Sequence, residues 1–266
     1  MLTITDALSN VTTMTYNSDG TLATVTAPNP ATGGATGGLV TSYTYDSDAR
    51  VARITNPDST HKDFTYDSEN NLLTSTDELG RVTSFAYDGD GRLVAKTLPN
   101  PSTGGASGGL VTYYAYDAAG NLTSETDAMG YVTAYVYNSR GWLTSITLPV
   151  PATGVSAPVI GYGYNANGRR TTVTDALGNV TTTAYDADGR VTSVTQPVPA
   201  TGVAAQVTND SYDNLGRVVS VEDADGHYTY YAYNSVNEVT SKTDAKNKGP
   251  PMIQIAYYAN LAFCHD

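Results

Sequence analysis

Catalytic chemistry has few side chains to draw on here, because the chain holds three histidines and one cysteine. His61 and His227 fall at the ends of turn-like segments far apart in sequence, and His265 stands beside Cys264. A nucleophile and its base must meet in space with a third group orienting the base, so two neighbours in sequence do not make a catalytic pair. The acidic residues offer more. Asp88-Gly-Asp90, Asp186-Ala-Asp188 and Asp223-Ala-Asp225 could set oxygens around calcium, but no later Glu is spaced to act as the bidentate ligand of an EF-hand loop. Each Asp also has a simpler use as a turn former. No catalytic, cofactor-binding or metal residue is assigned, and the chain is expected not to be an enzyme.

The elements that carry these residues repeat. A Tyr followed by Asp or Asn occurs at Tyr16, Tyr45, Tyr66, Tyr87, Tyr116, Tyr137, Tyr164, Tyr185, Tyr212 and Tyr233, at intervals of 21, 27 or 29 residues. Self-similarity at such a period marks an array whose units bury their faces only against neighbouring units. In Tyr185-Asp-Ala-Asp-Gly-Arg-Val191 the Asp can bond backbone groups ahead of it, and Gly189 can adopt the positive φ that ends a tight hairpin loop. The same role falls to Gly20, Gly91, Gly120, Gly141, Gly168 and Gly216. β-prone runs flank the turn, and a second Asp-x-x-Gly closes the short units at Asp77–Gly80, Asp127–Gly130, Asp175–Gly178 and Asp223–Gly226. The implied object is an antiparallel meander of about twenty strands whose turns alternate between two edges.

Four units are longer, and each is longer in one place. The second turn is replaced there by Pro28–Gly38, Leu98–Gly109, Leu148–Pro158 or Gln196–Ala205, segments without a single charged residue. All four should therefore emerge along one edge, which becomes the place to look for contacts. Twenty strands at about 4.8 Å make a ribbon roughly 95 Å wide, and strand twist will not leave such a ribbon flat. The expected fold is all-β, with the meander coiled into a hollow shell, tube or β-solenoid; a compact sandwich is the alternative.

Composition narrows the function. Charged residues are 15% of the chain, Phe occurs three times and Tyr 21 times. The ten repeat tyrosines, many with a second aromatic two residues earlier, lie on one face and are expected to form an aromatic ladder, or a surface that binds polysaccharide. A net charge of -12 argues against nucleic acid. No run of about 18 apolar residues could span a membrane as a helix, and residues 1–20 begin in mid-repeat without the pattern of a signal peptide. The Thr/Gly/Asn-rich, Lys-poor make-up suggests an extracellular or cell-surface setting. The array is expected to fill residues 1–245, with no boundary inside it, and 246–266 to form an atypical end, a cap or plug.

Complete units such as Tyr87–Leu93, Tyr185–Val191 and Tyr212–Val218 read Tyr-Asp-x-x-Gly-Arg-Leu/Val, with Arg92, Arg190 and Arg217 following the turn glycines. This resembles the YD repeats of the Rhs family, which includes bacterial Rhs proteins, the B and C components of insecticidal toxin complexes and the teneurins. The resemblance implies a spiralled β-sheet shell that encloses a polypeptide in bacteria and serves adhesion in teneurins. The shell-closing Asp-Pro-x-Gly-Leu signature does not occur, so no self-cleaving residue is implied. The expected role is structural: the wall of a shell, tube or filament that joins further repeats or copies of itself. A carbohydrate-binding or adhesive module using exposed Tyr rows is the alternative.

Overall fold

A computed structural model describes residues 1–245 except 151, 153 and 201. The expected cap at 246–266 lies outside the described residues. Twenty-one strands and no helix occur among the described residues. Their contacts divide into two units, residues 1–134 and residues 135 onward.

The first unit contains β1 (Leu2–Thr5), β2 (Val11–Tyr16), β3 (Leu22–Thr26), β4 (Val40–Tyr45), β5 (Val51–Thr55), β6 (His61–Tyr66), β7 (Leu72–Thr76), β8 (Val82–Tyr87), β9 (Leu93–Thr97), β10 (Val111–Tyr116), β11 (Leu122–Thr126) and the start of β12 (Val132–Tyr137). Consecutive strands from β1 to β12 pair antiparallel. The second unit contains β13 (Leu143–Thr147), β14 (Val159–Tyr164), β15 (Arg170–Thr174), β16 (Val180–Tyr185), β17 (Val191–Thr195), β18 (Val207–Tyr212), β19 (Val218–Glu222), β20 (Tyr228–Tyr233) and β21 (Val239–Ala245), again paired in order.

One turn explains the regularity. At Asp88 the backbone N–H donates to the Arg92 carbonyl at 3.0 Å, and the Gly91 N–H donates to the Asp88 carbonyl at 3.0 Å. The Asp88 Oδ1 accepts from the N–H groups of Asp90 and Arg92, both at 3.0 Å. This is a type I turn closed by a left-handed residue, which forces a bulge into the outgoing strand. The register accordingly slips between Ala86 and Tyr87, so that Tyr87 faces Leu93 while Ala86 faces Ala95. The seven turn glycines at this edge have φ between 75° and 89°. Ala49, Asn70 and Asn237 occupy the same position at φ 61°, 71° and 67°; Asn tolerates that region, whereas Ala49 is held there against its preference by the Asp46 hydrogen bonds. At the opposite edge Asn56-Pro-Asp-Ser59 makes the same turn with Asn for Asp and Ser for Gly, a substitution the Asp-x-x-Gly pattern does not reveal.

No hydrophobic side chain is buried among the described residues, and Thr13, at 7% exposure, is the sole buried residue. A sandwich interior would need apolar side chains removed from water, and neither unit has one among its described residues. Within each unit, order comes from strand pairing and from side chains that tie one hairpin to the next.

Candidate functional site

The ties lie along the edge carrying the Tyr-Asp turns. Tyr66 Oη donates to the Val51 carbonyl at 3.1 Å, Tyr87 to Leu72 at 3.1 Å, Tyr116 to Leu93 at 2.9 Å, Tyr212 to Val191 at 2.7 Å and Tyr233 to Val218 at 2.8 Å. Tyr45, Tyr164 and Tyr185 make the equivalent bond. The accepting carbonyl belongs to the first residue of the preceding outgoing strand. Between β17 and β18 the backbone ladder stops at Ser193 and Asn209, and the hydroxyl of Tyr212 satisfies the Val191 carbonyl beyond that point.

Arginine ties in the other direction. The Arg217 guanidinium is anchored to Asp213 at 2.7 Å, lies 4.6 Å from the centre of the Tyr233 ring and donates to the Asn234 carbonyl at 3.2 Å. Arg50 over Tyr66, Arg92 over Tyr116 and Arg190 over Tyr212 repeat the arrangement at 4.9, 5.2 and 4.9 Å. Every letter of Tyr-Asp-x-x-Gly-Arg-Leu/Val thus has a role. Tyr bonds backward, Asp and Gly build the turn, Arg reaches forward, and the final residue offers its carbonyl to the next Tyr.

This differs from the expected ladder of stacked rings. Equivalent tyrosines sit two strands apart, about 9 to 10 Å, beyond the 4.5 to 7 Å over which rings interact. The ring pairs among the described residues are instead Trp142 with Tyr164 at 5.4 Å and Tyr228 with Tyr230 at 5.7 Å.

The turn carboxylates of Asp88, Asp117 and Asp175 sit below their ordinary range. For Asp88 the first cause is the Arg92 guanidinium and the second the Arg92 N–H; for Asp117 and Asp175 the side-chain amides of Asn121 and Asn179 lead, followed by the backbone N–H of the same residues. A depressed folded pKa stabilises the fold fully above the unfolded value, about 3.9, and the contribution is lost as pH falls through the folded value. Urea midpoints should therefore be level from about pH 5 to 8 and fall steeply below about pH 4. A midpoint unchanged down to about pH 2 would remove these carboxylates from the account of stability.

The opposite edge combines charged turn residues such as Asp77, Glu78 and Arg81 with exposed apolar tips. Leu8, Leu79, Met129 and Leu177 occupy turn tips there and are 76–88% exposed. Each precedes one of the four long loops, whereas Asn56–Ser59, followed by a short connection, carries Pro and Asp in place of the apolar tip. The two loops of the first unit fold back on the preceding hairpin, with the Gly33 and Gly104 carbonyls accepting from Val11 N–H and Val82 N–H at 2.8 Å. Leu79, Leu98, Pro99 and Leu110 line a groove of about 510 Å³ at this edge, and Val180, Pro197 and Val198 line one of about 350 Å³ at the corresponding place in the second unit.

Of the residues weighed for chemistry, His61 lies 3.6 Å from Asp63, and Cys264 and His265 lie outside the described residues. Asp223, Asp225 and His227 bring one ligand atom each within 4.8 Å of one another on an exposed turn. Asp223 Oδ1 is occupied there by the N–H groups of Asp225 and His227 at 3.0 and 2.8 Å, so the trio is first a turn. Trp142, the single tryptophan, is not marked by the Tyr-Asp-x-x-Gly-Arg pattern. It stands where other units place Arg after the turn glycine, and that substitution is the signal that could have found it.

The fold and its edges define a repeat protein built as a tied β-meander rather than around a core. The RHS Repeat family model matches residues 66–103, 116–152, 164–201 and 212–248, more than half of the chain, and the chain belongs to that family. Its structure is similar to the crystal structure of TcdB2-TccC3-Cdc42, with a TM-score of 0.66 at 16% identity over 91% of this chain. The crystal structure of TcdB2-TccC3 without the hypervariable C-terminal region is similar to the same degree, at 17% identity. In both cases the match spans 13% of the other chain's length. No curated protein matches the sequence.

Proposed function

We propose that this chain is a stretch of wall: a non-enzymatic, extracellular repeat segment that completes a shell or tube together with further repeats or copies. The observation that carries the reading is a 21-strand meander with no buried hydrophobic side chain among the described residues, at one edge of which Leu8, Leu79, Met129 and Leu177 face water beside the uncharged long loops. Such an edge gains stability only when a second surface covers it, and a regularly spaced row of tips and grooves is best matched by an equally periodic partner. The similar structures contain TcdB2-TccC3, one of them with Cdc42, which supports assembly with, or enclosure of, another polypeptide.

Light scattering across a concentration series tests the reading on the full chain. Concentration-dependent association is expected, reduced in a variant with Leu79, Met129 and Leu177 changed together to Asp. A monodisperse monomer at high concentration, with the strands nearest the two ends of the array protected from hydrogen exchange, would refute it.

A further inference from the structure

We propose that Asn167 is a self-modifying site, where spontaneous deamidation supplies the carboxylate that Arg169 lacks; this is independent of the wall reading. Tyr164-Asn-Ala-Asn-Gly-Arg169 and Tyr185-Asp-Ala-Asp-Gly-Arg190 differ only by Asn for Asp at two places. In the second, Arg190 pairs with Asp186 at 2.6 Å and with Asp188 at 2.9 Å, and Arg50 and Arg92 are each clamped by two turn carboxylates in the same way. Arg169 pairs with no carboxylate among the described residues. Its guanidinium donates instead to the Asp188 carbonyl at 3.1 Å.

Of the two asparagines, Asn165 is the fixed one. Its Oδ1 accepts from the N–H groups of Asn167 and Arg169 at 3.0 Å. Asn167 is exposed, its side chain makes no hydrogen bond among the described residues, and no other asparagine of the chain is followed by Gly. A glycine nitrogen, with no Cβ beside it, attacks a side-chain amide with the least hindrance. The Gly168 nitrogen gives up its proton and bonds to Asn167 Cγ, the Cγ–Nδ2 bond breaks, and ammonia leaves. Water then opens the succinimide, at the Cγ carbonyl to give Asp or at the main-chain carbonyl to give isoaspartate. The Gly168 N–H is held by the Asn165 carbonyl at 3.1 Å, so attack follows local opening of the turn, which an exposed hairpin tip undergoes readily. Charge assists the step. Between Asn138 and Thr174 there are three arginines and no Asp or Glu, so the anionic nitrogen and oxygen of the transition state develop in positive surroundings. A carboxylate at position 167 then stands where Asp188 stands for Arg190, and restores one arm of the missing clamp.

Peptide mapping by mass spectrometry of the full chain, held in heavy-oxygen water at mildly alkaline pH, tests the site. Asn167 should take up solvent oxygen before any other asparagine, as a mixture of Asp and isoaspartate, and Asn167→Gln, which must close a larger ring, should stay unconverted. Replacing Gly168 is no clean test, since a Cβ there would lie 2.7 Å from Cζ2 of Trp142, which with Asn138, Tyr162 and Asn165 lines an adjoining open cleft. Asn167→Asp should raise the melting temperature by about 1 to 2 °C, and the same change in an Arg169→Gln background should not. An Asn167 that stays intact, or converts after other asparagines, would overturn the site. No gain from Asn167→Asp, or a gain that persists without Arg169, would overturn the role given to its product.

Discussion

Tyr212→Ala is expected to lower the stability of the array by about 3 kcal/mol and Tyr212→Phe by about 1 kcal/mol. The larger loss combines the contact of a half-buried ring, the platform under Arg190 at 4.9 Å and the 2.7 Å hydrogen bond to Val191. The smaller isolates the hydroxyl, whose removal leaves a carbonyl past the end of the β17–β18 ladder. Urea denaturation measures both, and hydrogen exchange should show loosening at β17 and β18 before other strands. Equal costs for the two variants would mean that the ring contributes nothing, and a cost below about 1 kcal/mol for Ala would rule out the tie altogether.

The second large effect concerns the long loops. A Cβ placed on Gly109 would run into the backbone carbonyl of Leu98 and lie 3.0 Å from Thr97 Cγ2. Neither neighbour can give easily, because the Leu98 N–H is bonded to the Leu110 carbonyl at 2.8 Å and Thr97 faces Val111 in the ladder. Gly109→Ala should thus cost about 2 to 4 kcal/mol, by overpacking and by loss of that hydrogen bond. Gly38, in the near-copy of this loop, meets the Ala27 carbonyl in the same way and should behave alike. Gly105→Ala is the control, since its Cβ would find only Thr103 Oγ1 at an ordinary 3.7 Å. Calorimetry of the three variants decides the matter: a Gly109→Ala melting temperature equal to that of Gly105→Ala would refute the steric argument.

The two effects separate local from distant causes. Turns depend on φ and on side chain to backbone bonds within five residues, so Asp88 and Gly91 announce theirs in the sequence, and the pleat puts Tyr43 and Tyr45 on one face without any further knowledge. The placement of all four long loops at one edge follows from counting strands. What the tyrosines do across the sheet does not follow. The expectation of stacked rings fails because partners on equivalent strands are too distant, and because the bulge after each turn leaves a carbonyl that only a hydroxyl reaching from the next hairpin meets. Arg217 likewise reads locally as the residue after a turn glycine, while its position over Tyr233 depends on how two hairpins lie side by side.

The sequence by itself determined the strands, the turns, their alternation between two edges and the family, because period and turn chemistry are properties of short segments. Tertiary structure alone decided what each repeat residue holds, that no hydrophobic side chain is buried among the described residues, and that Asn138, Trp142, Tyr162 and Asn165 converge. The physical reason is distance: those outcomes depend on groups 15 to 27 residues apart meeting within a few ångströms, and only strand register and bulge geometry fix where they meet.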